Sequence, residues 1–190
     1  MDAQMANVRM SKTCPMEIDI DQYPHARRMA AFIVGIVFFL CLQIIMQVVI
    51  HFCNGGGPAM VAFTLAGWSG IVPTMVLGVV AARRMMIHRT DAMFLCKAFG
   101  WLLLCFKMVT LVAVPLVFGI FDMAEVVINF VWVVAIMLMI WSQYGSPELM
   151  STFPRSWRVV SASNVLAVVA CALSMVGLPA LCIAFLLRAI

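Results

Sequence analysis

Charge is scarce in this chain. Only 11% of its 190 residues are Asp, Glu, Lys or Arg, whereas 65% are hydrophobic. An ordinary soluble domain carries about 25% charged and roughly 45–50% apolar residues. A soluble domain of this length has too little interior to bury so much apolar surface. The shortage of charge therefore excludes a soluble globular fold and predicts a membrane protein with no room for a separate soluble domain.

The sequence also lacks the patterns of a catalytic or cofactor site. It contains no G-x-S-x-G, no H-E-x-x-H and no phosphate-binding loop. His25, His51 and His88 have no Cys or His three or four residues away, as a metal or haem site would require. Asp122 and Glu125 form an acidic pair that a helix cap explains. We expect a protein that is not an enzyme and that holds no metal or other cofactor.

The basic residues do not predict a nucleic-acid partner. The net charge is +4, but Lys and Arg stand beside apolar stretches and do not alternate with aromatic residues. Cations in this position typically contact the head groups of anionic phospholipids. The arginines predicted to make such contacts are Arg27, Arg28, Arg83, Arg84, Arg155 and Arg158.

Five long apolar stretches fill most of the chain. A helix needs about 20 apolar residues to cross a bilayer, and a chain in lipid must satisfy its backbone hydrogen bonds in helices or in a closed barrel. The stretches lack the alternation of barrel strands. We therefore predict an all-α, polytopic integral membrane protein with five transmembrane helices. A polar tail over 1–28 precedes a membrane domain over 29–190, with crossings at about 29–52, 59–82, 93–120, 124–141 and 159–187.

The distribution of basic residues predicts the orientation. Arginines precede the first and fifth crossings and follow the second, whereas the connections after the first and third crossings contain no Lys or Arg. Because Lys and Arg resist translocation, they mark the inner side of the membrane. The N-terminus is therefore expected inside and the C-terminus outside. The alternation requires an odd number of crossings, which supports five.

The second crossing carries a repeat of small residues at every fourth position. In lipid, small side chains let helix backbones approach closely, and this packing is a major source of association energy. The repeat predicts a tight interface with another helix, in this chain or in a partner. Pro73, which lies beside the repeat, is expected to bend the helix. The members of the repeat are Ala62, Ala66, Gly70, Thr74, Gly78 and Ala82.

Lys107 stands near the middle of the third crossing, where an ammonium costs about 2.5–3.5 kcal/mol on insertion scales. The expected partners are Gln43, Gln47, Asn129 and Asn164. Two interpretations remain open. Lys107 is a substrate, ion or proton site, or it has a structural role and pairs with protein or extends toward a head group. Gln43 and Gln47 share one helix face, which favours hydrogen bonds between helices over a polar conduit.

Three functional hypotheses follow. The first, favoured by the small-residue repeat, is a non-catalytic accessory subunit of a larger membrane complex, such as a respiratory or other organellar assembly. It implies other membrane subunits and anionic phospholipids as partners, and favours the mitochondrial inner membrane over the plasma membrane or an endomembrane as the location. The second is a small homo-oligomeric transporter or channel that uses Lys107, Gln43 and Gln47. The third is a tetraspan-like membrane scaffold.

Overall fold

The computed structural model describes residues 24–53, 55, 57–87, 89, 91–118, 123–145, 147, 149 and 161–189. All regular secondary structure in these residues is helical, which confirms the predicted fold class. The helices are α1 (Pro24–Cys53), α2 (Pro58–Ser69), α3 (Val72–Met86), α4 (Ala92–Phe118), α5 (Met123–Gly145) and α6 (Ala162–Ala189).

The described helices supply four or five membrane crossings. α1, α4, α5 and α6 are each long and apolar enough to cross by themselves, and α2 with α3 makes a fifth crossing if this bent pair is one span. Many large apolar side chains point outward, among them Phe38, Val131 and Leu173 at 60–70% exposure. In water such a surface would associate or aggregate, but hydrocarbon is its natural solvent. The chain is a polytopic all-α membrane protein.

α3 lies at the centre of the bundle. It packs against α1 and α4, while α5 packs on α4, and α6 packs mainly on α2 with further contacts to α3 and α4. The core between these helices is apolar. It includes the fully buried side chains of Ile33, Leu40, Met85, Phe99 and Leu103.

The segment predicted as the second crossing is broken in the middle. α2 ends at Ser69, α3 begins at Val72, and the two helices meet at a bend of 44°. Pro73 explains the position, because it has no N–H to donate to the carbonyl of Ser69 one turn earlier. At the break, the chain makes a hydrogen bond between residues three apart, as in a 3₁₀ turn: the amide of Ile71 donates to the carbonyl of Trp68 at 3.1 Å. The sequence predicted a bend at Pro73, and the structure has a break between two helices there.

The helix bounds differ from the predicted crossings at the first helix. α1 begins at Pro24, within the predicted polar tail, and Ala26 is already buried. Proline suits the first turn of a helix, where its missing N–H has no helical acceptor. The remainder of the tail, Asp122, and the two arginines predicted before the last crossing, Arg155 and Arg158, lie outside the described residues.

Candidate functional site

Lys107 lies within α4 and its side chain is fully buried. Its Nζ donates hydrogen bonds to Gln43 Oε1 at 3.0 Å and to Asn129 Oδ1 at 3.4 Å. Gln43 belongs to α1 and Asn129 to α5, so the ammonium joins three helices. A charge inside a bilayer is tolerated where protein groups replace its hydration shell. The two amide oxygens do this for Lys107, and both were among its predicted partners.

Two indole rings lie close to the same ammonium. The Nζ of Lys107 is 5.1 Å from the ring centroid of Trp68 and 5.3 Å from that of Trp132. A cation within about 6 Å of a ring face is attracted to it, by about 2 kcal/mol or more where water is excluded. Trp68 lies in the last turn of α2 and Trp132 lies on α5, so the contacts of Lys107 connect α1, α2, α4 and α5.

Gln47 contributes by holding Trp68. The Nε1 of Trp68 donates to Gln47 Oε1 at 2.6 Å, and the same indole lies 5.6 Å from the ring of Phe106. These contacts fix the orientation of the Trp68 ring beside Lys107. We call Gln43, Gln47, Trp68, Lys107, Asn129 and Trp132 the lysine cluster.

The sequence indicates only part of the lysine cluster. The polar members stand out because an amide or ammonium is unusual in an apolar run. Trp132 has a weak local signal, since it follows Asn129 by three residues on the same helix and so shares its face. Trp68 has no such signal, because tryptophan is ordinary in a crossing and its contact with Lys107 depends on how α2 packs.

Asn164 was predicted to pair with Lys107. In the structure it belongs instead to a second polar cluster. Its Oδ1 accepts from Arg84 Nη1 at 2.8 Å, and its Nδ2 donates to Asp91 Oδ2 at 2.8 Å. Arg84 and Asp91 also form an ion pair, and Arg89 Nε lies 3.8 Å from the other carboxylate oxygen. We call Arg84, Asp91 and Asn164 the arginine cluster. It connects the end of α3, the residue before α4 and the first turn of α6.

The arginine cluster changes the interpretation of Arg84. Its guanidinium binds Asp91 and Asn164, and its side chain is 27% exposed; its contact with lipid head groups stays a prediction. Asp91 is more shielded still, at 11%. Sequence reasoning passed over Asp91, although an acid in the otherwise basic connection before a crossing is a signal for such a pair. Arg27, Arg28 and Arg83 are exposed, and their contact with lipid stays a prediction.

The repeat of small residues packs inside the chain. All of its members except the half-buried Ala62 are buried. A Cβ built on Gly70 would lie 2.8 Å from the carbonyl oxygen and 2.9 Å from the Cα of Met175 on α6. A Cβ built on Gly78 would lie 2.6 Å from the ring of Phe99 on α4. The repeat is therefore divided between two neighbours, because the break after Ser69 turns its two halves toward different helices.

The outer side of α6 carries a different repeat. Only 6% of its most apolar stretch is buried. Small residues recur every seven positions along the helix. Three positions after each of them stands a residue of a second set, and three of the four residues in that set are Leu. All eight residues are exposed, on the side of α6 away from Asn164 and Cys171. We call this set the α6 seam: Ser163, Ala170, Gly177 and Ala184 with Leu166, Leu173, Ala180 and Leu187.

Within the part of the chain that the structure describes, no three His, Cys, Asp or Glu side chains meet in a way that would hold a metal ion. No family model, curated protein or solved structure matches this chain. The two polar clusters and the α6 seam are thus the features from which a function is argued.

Proposed function

We propose that this chain is a non-catalytic subunit of a larger membrane complex and that it docks on its partner through the α6 seam. The seam carries the proposal because it presents small residues and leucines to the outside along the whole helix. In lipid, apolar burial contributes little to helix association. Close approach over small residues and interdigitation of larger ones contribute most of it. A face of this composition is suited to another helix.

The lysine cluster has a supporting role in this proposal. Lys107 is completely buried and is surrounded by amide oxygens and indole rings from three other helices, α1, α2 and α5. Polar contacts of this kind specify which helices meet and in what register. The arginine cluster does the same for the start of α6, through two hydrogen bonds of Asn164 at 2.8 Å. The subunit then offers a fixed outer face to its partner.

The finer assignment is a respiratory or other organellar inner-membrane assembly, with anionic phospholipids at Arg27, Arg28 and Arg83. It is supported by the apolar composition and by the exposed basic residues at the ends of helices.

Purification of the tagged chain from native membranes in a mild detergent tests the proposal. We expect stoichiometric partners in the wild type and their loss when Gly177 on the seam is replaced by Val. Gly67→Val is the matched control. Gly67 and Gly177 are both exposed helical glycines with nothing within 4 Å of an added Cβ, so neither change disturbs the fold directly. A monodisperse free protein without partners would count against a subunit role.

A transporter or channel is the second candidate, and the half-buried state of Gln43 and Gln47 favours it. Both amides belong to the lysine cluster and are partly accessible from the outer side of α1, and Gln43 contacts Lys107 directly. We propose that a movement of α1 would then expose Lys107. If the chain transports a polar solute, Lys107→Met is expected to abolish flux into vesicles. Lys97→Met is the control. Lys97 is not a member of the lysine cluster, and its Nζ lies 4.2 Å from the ring centroid of Tyr144. Flux that survives Lys107→Met removes this candidate.

A further inference from the structure

We infer that α2 is a hinged gate over Lys107, and that α6 holds this gate shut at the break between α2 and α3. The gate lies inside the chain, so it does not depend on the subunit role proposed above. It goes beyond that role because it gives the chain a second state, in which the buried ammonium of the lysine cluster is reachable from outside the bundle.

The two halves of the broken crossing are held very differently. α2 has one buried residue among its 12, Ala66, whereas seven of the 15 residues of α3 are buried. A segment with few buried contacts opens at a lower free-energy cost than the core around it. α2 is therefore the half that moves, while α3 stays fixed between α1 and α4.

Two points where proline interrupts helical hydrogen bonding lie against each other at the break. Pro73 leaves the carbonyl of Ser69 without its helical donor. Pro179, which lies inside α6, does the same to the carbonyl of Met175. The Met175 carbonyl oxygen is also the atom that lies 2.8 Å from the position of a Cβ on Gly70. α2 and the part of α6 beside it are therefore joined to the rest of the bundle at two weakened points in contact, as a hinge requires.

Trp68 turns the moving half into a gate. It lies in the last turn of α2, and its ring centroid is 5.1 Å from the Nζ of Lys107. Further contacts to this ammonium come from Gln43 on α1 and from Asn129 and Trp132 on α5. When α2 swings away, the indole of Trp68 leaves and the contacts from α1 and α5 remain. The lysine cluster thus opens on one side and keeps the groups that hold the charge in place.

α6 supplies the latch of the gate. Ser174 Oγ donates to the carbonyl of Gly70 at 3.2 Å, and the backbone of Met175 packs on the same glycine. The first turn of α6 is fixed separately, by the arginine cluster. Because α6 is anchored at this end and weakened in the middle by Pro179, it can lift from Gly70 without leaving the bundle.

A buried hydroxyl just after the break favours the second state. Thr74 is fully buried, and its Oγ1 has no hydrogen-bond partner among the described residues. In a helix, a threonine hydroxyl ordinarily donates to the carbonyl three or four residues earlier, and Gly70 lies four residues before Thr74. In the closed state the Gly70 carbonyl accepts from Ser174 of α6 instead. When α6 lifts and the bend straightens, Thr74 takes over this acceptor, so opening exchanges one hydrogen bond for another.

Fluorine NMR of the full-length protein, labelled with 5-fluorotryptophan in lipid nanodiscs, tests the gate. The Trp68 signal is identified by its loss in Trp68→Phe, and a water-soluble paramagnetic ion marks the population that water reaches. Ser174→Ala removes the latch bond and is expected to raise the ratio of open to closed Trp68 about fivefold, or about 1 kcal/mol. Thr74→Val removes the hydroxyl that only the open state satisfies. It is expected to lower the ratio about fivefold and to return the double variant to the wild-type value.

Ser142→Ala is the matched control. Ser142 Oγ donates to the carbonyl of Met139 at 2.8 Å within α5. Ser174 Oγ makes the same kind of bond within α6, to the carbonyl of Cys171 at 2.7 Å. The control should keep the ratio within about twofold of the wild type. Equal changes in Ser174→Ala and Ser142→Ala, changes of the same sign in Ser174→Ala and Thr74→Val, or a single unchanged Trp68 environment in all of these proteins would each overturn the gate.

A second readout measures whether the opening uncovers Lys107. A water-soluble amine-acetylating reagent is applied to the protein in nanodiscs, and mass spectrometry compares Lys107 with the half-buried Lys97 of the same molecule. Ser174→Ala is expected to raise the modification of Lys107 relative to Lys97 about fivefold, in step with the NMR ratio. A Trp68 that changes environment while Lys107 keeps its wild-type reactivity also overturns the gate. Partners recovered from native membranes report on the subunit role alone, so a failed gate leaves that role standing.

Discussion

Replacing Gly70 by Ala is expected to separate α6 from the bend between α2 and α3. The new Cβ would lie 2.8 Å from the carbonyl oxygen and 2.9 Å from the Cα of Met175, and both are backbone atoms. Neither can rotate away, so α6 must move as a whole. The hydrogen bond from Ser174 Oγ to the Gly70 carbonyl at 3.2 Å would be disturbed as well. We expect a loss of about 2–3 kcal/mol in the free energy of unfolding, near the upper end of overpacking costs.

The effect of Gly70→Ala comes from packing and not from backbone conformation, because Gly70 has an ordinary helical φ of −66°. Gly67→Ala is the control. Gly67 lies one turn earlier with nothing within 4 Å of an added Cβ. Alanine there should leave stability unchanged or raise it by up to about 1 kcal/mol, since it is the better helix former. Denaturant titration of the two variants in the same detergent measures the difference. Equal stability would refute the close contact of Gly70 with α6.

Replacing Gln43 by Leu is expected to destabilise the protein because it takes an acceptor away from a buried ammonium. The bond from Lys107 Nζ to Gln43 Oε1 is 3.0 Å long. Hydrogen bonds to charged groups contribute about 1.5–3 kcal/mol, and we expect a loss in this range. Lys107→Met should cost less, because it removes the charge and keeps the packing volume. Lys107→Met leaves two neutral amide oxygens without this donor, which costs less than leaving a buried charge without an acceptor.

The double variant Gln43→Leu with Lys107→Met decides whether this explanation is correct. If the cost of Gln43→Leu comes from the unsatisfied ammonium, the double variant should recover most of the stability, and the two effects should not add. Reversible unfolding of the wild type, both single variants and the double variant gives the coupling energy directly. Additive losses would show that Gln43 stabilises the bundle without Lys107.

Part of the lysine cluster is predictable from the sequence because its members are locally conspicuous. Lys107 stands out in an apolar run, and few amides are available in the crossings to satisfy it. The structure selects Gln43 and Asn129 from the four predicted partners and places Asn164 elsewhere. The selection follows from helix packing, since residues far apart in sequence meet only once α1, α4 and α5 have taken their places.

The small-residue repeat shows where local reasoning fails. Spacing of four residues predicts a common face only while the helix continues, and the helix stops at Ser69. Gly70 then meets α6 while Gly78 meets α4. Pro73 indicated a bend but not its size of 44°. The α6 seam has a clear sequence period of its own, yet the period by itself does not show whether that side of the helix is covered.

The sequence by itself determined that hydrocarbon is the solvent of this protein, that its regular structure is helical, and roughly where its helices run. These properties follow from the length and hydropathy of consecutive residues, which each helix carries independently of the others. Only the tertiary structure decided which small residues are covered by the chain's own helices, that Arg84 and Asp91 hold Asn164, and that the seam of α6 faces outward. Those outcomes depend on the angles and depths at which separate helices meet, and the packing of the whole bundle sets these.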